Sequence, residues 1–87
     1  MENIQKSWVF LDTSKRRKEV FLTLKNKPLG VLDIAKITNL KHSNVSVLLN
    51  QLVKENLVVC LTPEKRTWRR FDLTEFGREV LNKFYKK

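Results

Sequence analysis

At 87 residues the chain suffices for one compact domain and is too short for two, and a domain of this size hides only about 60–65% of its unfolded surface. Hydrophobic residues at 41% and charged residues at 31% mark a globular composition, which excludes a disordered chain, and two glycines and two prolines argue against a loop-rich or repeat fold. Eighteen Lys and Arg against nine Asp and Glu give a net charge of +9 and a pI near 10.1, a balance that attracts polyanions, with nucleic acid the first candidate and an anionic membrane surface the second.

No apolar run approaches the ~20 residues that span a bilayer. Met1 to Lys6 is polar and the apolar stretch after it is only Trp8 to Leu11, so no signal peptide is read and a cytoplasmic location is expected. Cys60 and His42 are the only residues of their kinds. An intrachain disulfide is therefore excluded, and neither a zinc site nor a Cys–His or Ser–His–Asp catalytic set can be assembled in ordinary form. No metal, no cofactor and no enzymatic activity are expected.

In chain order, Trp8, Val9, Phe10 and Leu11 form an apolar run too short to decide between a strand and the lead-in to a helix. A helix follows from Ser14, with Thr13 or Ser14 as its cap. Val20, Phe21 and Leu24 share one face, Arg17 extends that line, and Pro28 forces an end near Asn26. Lys15, Arg16 and Lys18 crowd its first turns against the helix dipole. Residues 29–40 suit a second helix with Gly30 at the cap and Asp33 reaching back to it. Ile34, Ala35 and Ile37 are its buried candidates, and Asn39 is its left-handed end. The third helix is the clearest: Val45, Leu48, Leu49, Leu52 and Val53 fall at i, i+3, i+4, i+7 and i+8, ending near Asn56. The period then changes to two. Leu57–Thr62 and Trp68–Leu73 read as strands around the polar turn 63–67, with Phe71 and Leu73 on one face. Thr74 caps a last helix with the apolar line Phe76, Val80, Leu81 and Phe84. Gly77 inside that helix costs about 1 kcal/mol relative to Ala, which a close packing contact would explain. The predicted order is helix, helix, helix, strand, strand, helix in a single domain, residues 1–13 being an N-terminal extension and 14–82 the core.

Two short helices joined by a tight turn form a helix-turn-helix unit, whose second helix lies in the DNA major groove. Here that helix turns outward Lys41, His42, Ser43, Asn44, Ser46, Val47, Asn50 and Gln51. None is acidic, the first acid being Glu55 at the far end. Asn and Gln pair bidentately with adenine, Ser accepts several bases, and Val47 fits a thymine methyl. An ordinary solvated face would mix in Asp or Glu. The hairpin carries Lys65, Arg66, Arg69 and Arg70 against the one acid Glu64, a charge suited to the phosphate backbone. Lys15, Arg16 and Arg17 either meet phosphates beside the groove or form a solvated helix start. Lys83, Lys86 and Lys87 read as a solvated tail. Cys60 reads as a small buried hydrophobe rather than a redox sensor. Trp68 either stacks on a base or packs beside the hairpin or a partner.

Four stretches carry a family resemblance: Ser14–Val20; Ile34-Ala35-Lys36 with Asn39-Leu40; Asn44-Val45-Ser46 with Leu49, Leu52 and Glu55–Val58; and Arg69-Arg70-Phe71-Asp72-Leu73-Thr74 with Gly77. Over residues 14–82 the chain resembles winged helix-turn-helix transcription regulators of the MarR and ArsR type, especially the short single-domain archaeal form. The resemblance implies an α+β, mostly α fold: a three-helix core, a two-stranded β-wing and a C-terminal helix. It further implies homodimers on pseudo-palindromic double-stranded DNA, residues 43–50 in the groove and the 63–70 wing on the backbone. A dimer held by Trp8, Phe10, Phe84 and Tyr85 is expected. Asn39 and Asn56 stand where the family has glycine, Val47 stands where it often has Arg, and the Cys and His clusters of metal-sensing members are missing. The other functions open to this chain are a winged-helix protein-interaction module and a nonspecific architectural nucleic-acid-binding protein.

Overall fold

The computed structural model describes residues 3–64 and 69–84. The elements are α1 (Ile4–Asp12), α2 (Lys15–Thr23), β1 (Leu29–Gly30), α3 (Val31–Thr38), α4 (His42–Lys54), β2 (Val58–Cys60), β3 (Arg70–Leu73) and α5 (Glu75–Phe84). This is the expected α+β, mostly helical architecture, with two additions.

The first addition is α1. The apolar run Trp8–Leu11 is its second half, and Asn3 caps it by accepting from the Lys6 N–H at 3.0 Å. The stretch treated as an extension is built into the centre: Leu11 is fully buried, and α1 packs on both α2 and α5. The second addition is β1, two residues that pair with β3 and turn the expected two-stranded hairpin into a three-stranded antiparallel sheet of order β1-β3-β2. The register sets Leu29 and Cys60 on either side of Phe71, and Val58 opposite Leu73. Leu29, Val58, Phe71 and Leu73 are buried on one face, while Val59 and Arg70 are exposed on the other.

The helices are cut by local chemistry. Ser14 caps α2 by accepting from the Arg17 N–H at 3.3 Å. The helix stops at Thr23, short of Asn26: the Leu24 and Lys25 N–H groups bond back only three residues, to Phe21 and Leu22, and tighten the last turn. In α3 the inward stripe is Val31, Ile34, Ala35 and Thr38 at i, i+3, i+4 and i+7, so Ile37 falls outside it and is 62% exposed instead of buried. Gly30 caps α3 without a side-chain bond, and Asp33 does not reach back to it; its carboxylate in the first turn still suits the helix dipole. Asn39 and Asn56 both take the left-handed conformation, with φ 62° and 61°, as expected of residues that stand in for glycine. Between them α4 buries Val45, Leu49 and Leu52. Val53, eight residues past Val45, is rotated roughly 80° from it and is 38% exposed, a departure from the expected stripe.

The junction of α4, β2 and α5 is closed by one hydroxyl. Thr74 Oγ1 accepts from the Gly77 N–H at 2.8 Å, capping α5, and donates to the Asn56 carbonyl at 2.6 Å. The Thr74 N–H donates to the Leu57 carbonyl at 3.1 Å. That carbonyl lies against Gly77, where a Cβ would overlap it and meet its carbon at 3.2 Å. The contact expected from a glycine inside a helix is thus present. Val80, one turn on, is fully buried.

Candidate nucleic-acid interface

The turn 39–41 sets α3 and α4 against each other. The buried side of α4 is fixed by Val45, Leu49 and Leu52, so the opposite side is free to carry polar residues. Lys41, His42, Ser43, Asn44, Ser46, Val47 and Asn50 are all exposed. By helical period they divide into three lines. His42, Ser46 and Asn50, at i, i+4 and i+8, lean to one flank. Ser43 and Val47 run along the outermost line. Asn44 lies on the other flank with Gln51, seven residues on. No acidic residue occupies the first turn of α4, and no side chain caps it, so the positive end of its dipole adds to Lys41.

On the first flank an open groove of about 640 Å³ separates α4 from the start of α3 and from β3. His42, Ser46 and Asn50 line one wall, and Arg69 and Arg70 line the other. The structure therefore brings the predicted helix face and the base of the predicted wing to a single concavity. Asp33 is the one acid on its lining among the described residues. Arg69 and Arg70 are exposed, and the Arg70 backbone is held on both sides: its N–H donates to Thr62 Oγ1 at 3.0 Å and its carbonyl accepts from the Leu61 N–H at 2.8 Å. The other two wing candidates, Lys65 and Arg66, lie outside the described residues, as do Trp68 and Tyr85.

Of the three cations opening α2, Lys15 and Arg16 are exposed, whereas Arg17 is committed inside the protein. Its Nε donates to the Phe10 carbonyl at 3.2 Å and its Nη1 to Gln51 Oε1 at 2.9 Å. Its Nη2 donates to Thr13 Oγ1 at 3.0 Å and again to the Phe10 carbonyl. The guanidinium also stacks 3.8 Å from the centroid of the Phe10 ring. Only one of its five N–H groups is left for another partner. A cation at the C-terminal end of α1 is favoured by that helix's dipole and satisfies a carbonyl that the helix leaves open. Arg17 thereby ties α1 and α2 to α4, and Gln51 is taken up in the same link. The expectation of a phosphate contact passes from Arg17 to its two neighbours.

Two acids close to the basic surfaces are matched internally, Asp12 by Lys18 at 2.7 Å and Asp72 by Arg78 at 3.1 Å. Both pairs are at the surface and contribute little to stability. Their effect is to keep two negative charges paired. Lys54 is a residue that sequence reading passed over. It is exposed and continues the outermost line of α4 seven residues past Val47, and that spacing was its available signal. The hydrophobic candidates for a dimer contact are partly covered within the chain: Trp8 and Phe10 are half-buried, with the Lys18 ammonium 5.3 Å from the Trp8 ring centroid. Cys60 is a half-buried free thiol in β2. Among the described residues no group of three or more His, Cys, Asp or Glu is placed to hold a metal ion, and no helix is long and apolar enough to cross a membrane.

A helix-turn-helix of α3 and α4 followed by a β2–β3 hairpin and a closing helix is a specific arrangement. The fold is a winged helix-turn-helix. The winged helix superposes on HlyU from Vibrio cholerae, in its reduced form, with a TM-score of 0.72 and 19% identity, covering 97% of this chain and 90% of that one. It superposes on AdcR, the adhesin competence repressor of Streptococcus pyogenes, with a TM-score of 0.69 and 22% identity, over 80% of this chain and 53% of AdcR. For RV1404 from Mycobacterium tuberculosis the TM-score is 0.68 at 22% identity, over 77% of this chain and 47% of that one. The winged helix thus spans about half the length of AdcR and RV1404. No protein-family model and no curated protein sequence matches the chain.

Proposed function

We propose that this winged helix is a sequence-specific double-stranded DNA-binding transcription regulator of the MarR/ArsR type, working in the cytoplasm as a homodimer and without enzymatic activity, metal or cofactor. In this reading α4 enters the major groove with Ser43, Ser46, Val47 and Asn50 toward the bases. Lys41, His42 and Asn44 stand at the entry of the helix. Lys65, Arg66, Arg69 and Arg70 of the wing follow the phosphate backbone, and Lys15 and Arg16 meet phosphates beside the groove. The observation that carries it is the exposed face of α4: thirteen helical residues without an acid, beside a groove whose far wall holds Arg69 and Arg70. A net charge of +9 supplies the attraction that precedes any sequence choice.

The wing's role has a direct readout. Replacing Arg69 and Arg70 together by Ala is expected to weaken all duplexes alike and to flatten the dependence of log K on log salt by about one unit per lost phosphate contact. A loss confined to one sequence would assign these residues to bases, and an unchanged slope would remove them from the interface. The homodimer is read by sedimentation equilibrium of the full chain: a dimer is expected, and a clean monomer at high concentration would eliminate it.

A further inference from the structure

The outermost line of α4 is Ser43, Val47 and Lys54, at i, i+4 and i+11, opposite the buried Val45, Leu49 and Leu52, and Asn50 stands beside it on the flank that faces the groove. Val47 is the anomaly of that line. It is an apolar side chain 55% exposed between polar neighbours, and it adds nothing to the core. Being β-branched, it is also a poorer helix former than the Lys, Gln or Glu that would suit a solvated position. Asn50, one turn further, is likewise a weak helix former, is exposed, and borders the groove shared with Arg69 and Arg70. Neither choice serves the helix or the packing, so both side chains are free to meet a ligand outside the protein.

The chemistry of the two side chains narrows that ligand. α4 contains no arginine and its one lysine, Lys54, is its last residue, so the stretch holding Val47 and Asn50 lacks a cation to read the O6 and N7 of guanine. It has instead a carboxamide, which pairs bidentately with N6 and N7 of adenine, and an isopropyl group, which packs on the C5-methyl of thymine. Three helical residues rise about 4.5 Å, close to the ~3.4 Å step of duplex DNA, so the two side chains address neighbouring base pairs.

We infer that Val47 and Asn50 select adjacent A·T pairs in the major groove, Val47 by the thymine methyl and Asn50 by the adenine N6/N7 edge. The inference rests on the DNA-binding reading above and adds the class of sequence that reading leaves open. The experiment selects duplexes from a randomised library with the full chain, then alters the enriched duplex one atom group at a time. Uracil in place of thymine removes only the methyl; 7-deazaadenine in place of adenine removes only N7. Enriched duplexes are expected to share adjacent A·T pairs. Uracil at one of them should weaken the wild-type protein about fourfold, the worth of one apolar carbon kept from water. Val47→Ser should bind the thymine and uracil duplexes alike. 7-Deazaadenine at the neighbouring pair should weaken the wild type about tenfold and leave Asn50→Ala no weaker than it already is. Both positions are exposed, so equal melting temperatures of the variants show that folding is not the cause. Enriched G·C pairs at these steps, or a uracil penalty that survives in Val47→Ser, overturn the assignment. Uniform binding to every duplex overturns it while leaving DNA binding intact. Failure to bind any duplex at low salt overturns the DNA-binding reading and this assignment together.

Discussion

Gly77→Ala is expected to destabilise the protein by about 3 kcal/mol, although alanine is the better helix former by about 1 kcal/mol. Gly77 sits in the first turns of α5, where the backbone of Leu57 crosses it. A methyl group there would overlap the Leu57 carbonyl oxygen and press on its carbon at 3.2 Å. The obstacle is backbone, so no side-chain rotation relieves it. The Leu57 oxygen is also held in place by the Thr74 N–H, and Thr74 in turn anchors Asn56 through its hydroxyl. Moving α5 away would weaken these bonds and open the pocket filled by Val80, which is fully buried. In a domain of this size the loss corresponds to a fall of roughly 15 °C in melting temperature. Gly30→Ala is the control. Its added Cβ would stand 3.3 Å from the Arg69 carbonyl and its backbone is extended, so a change within about 1 kcal/mol is expected. Thermal unfolding by circular dichroism separates the two; a Gly77→Ala protein as stable as the wild type would refute the packing account of this glycine.

Val47→Glu should leave the melting temperature within a degree or two of the wild type and weaken duplex binding by roughly 100-fold. The side chain stands on the outermost line of α4 and is 55% exposed, so a carboxylate is accommodated without loss of core. At the interface the same carboxylate faces phosphates and base acceptors, and like-charge contact costs several kcal/mol. The loss should shrink little with added salt, because the penalty is at short range. Anisotropy titration and a melting curve on the same sample check it. Unchanged binding would mean that another face of the protein meets the DNA, and a collapsed melting temperature would mean that Val47 has a structural role its exposure conceals.

The parts of the fold that were legible from sequence are those whose signals are local. The Val45, Leu49 and Leu52 stripe, the Ser14 and Thr74 caps and the left-handed Asn39 and Asn56 each follow from a residue and its neighbours within one helical turn. What stayed hidden was decided by distant partners. The apolar run Trp8–Leu11 is four consecutive residues and shows no period by itself, and the helix it belongs to is stabilised by packing on α2 and α5. β1 has two residues, too few for any alternation, and exists because β3 offers it a ladder. Ile37 is apolar yet lies off the inward stripe of α3, whose direction is set by the elements packed on it; Thr38 holds the inward place, donating its hydroxyl to the Ile34 carbonyl at 2.8 Å.

The candidate site divides the same way. The polar outer face of α4 was evident from the absence of acids, because exposure follows directly from the helical period. Arg17 was not, because its destination depends on where the end of α1 and Gln51 come to lie. A cation in a run of cations looks like its neighbours until a carbonyl seven residues away is folded against it, and only Lys15 and Arg16 keep the outward reading. Lys54 lies beyond the outward residues Lys41–Gln51, at the last position of α4, where the outermost line through Ser43 and Val47 ends.

The central claim is that α4 and the wing recognise double-stranded DNA with a preference for sequence. It is tested most directly by fluorescence-anisotropy titration of the full chain against a duplex from its own promoter and a random duplex pool, across a salt series. The account predicts tighter binding to the promoter duplex, falling steeply as salt rises. Equal binding to both at every salt concentration would contradict sequence recognition, and no binding at low salt would contradict the DNA-binding reading itself.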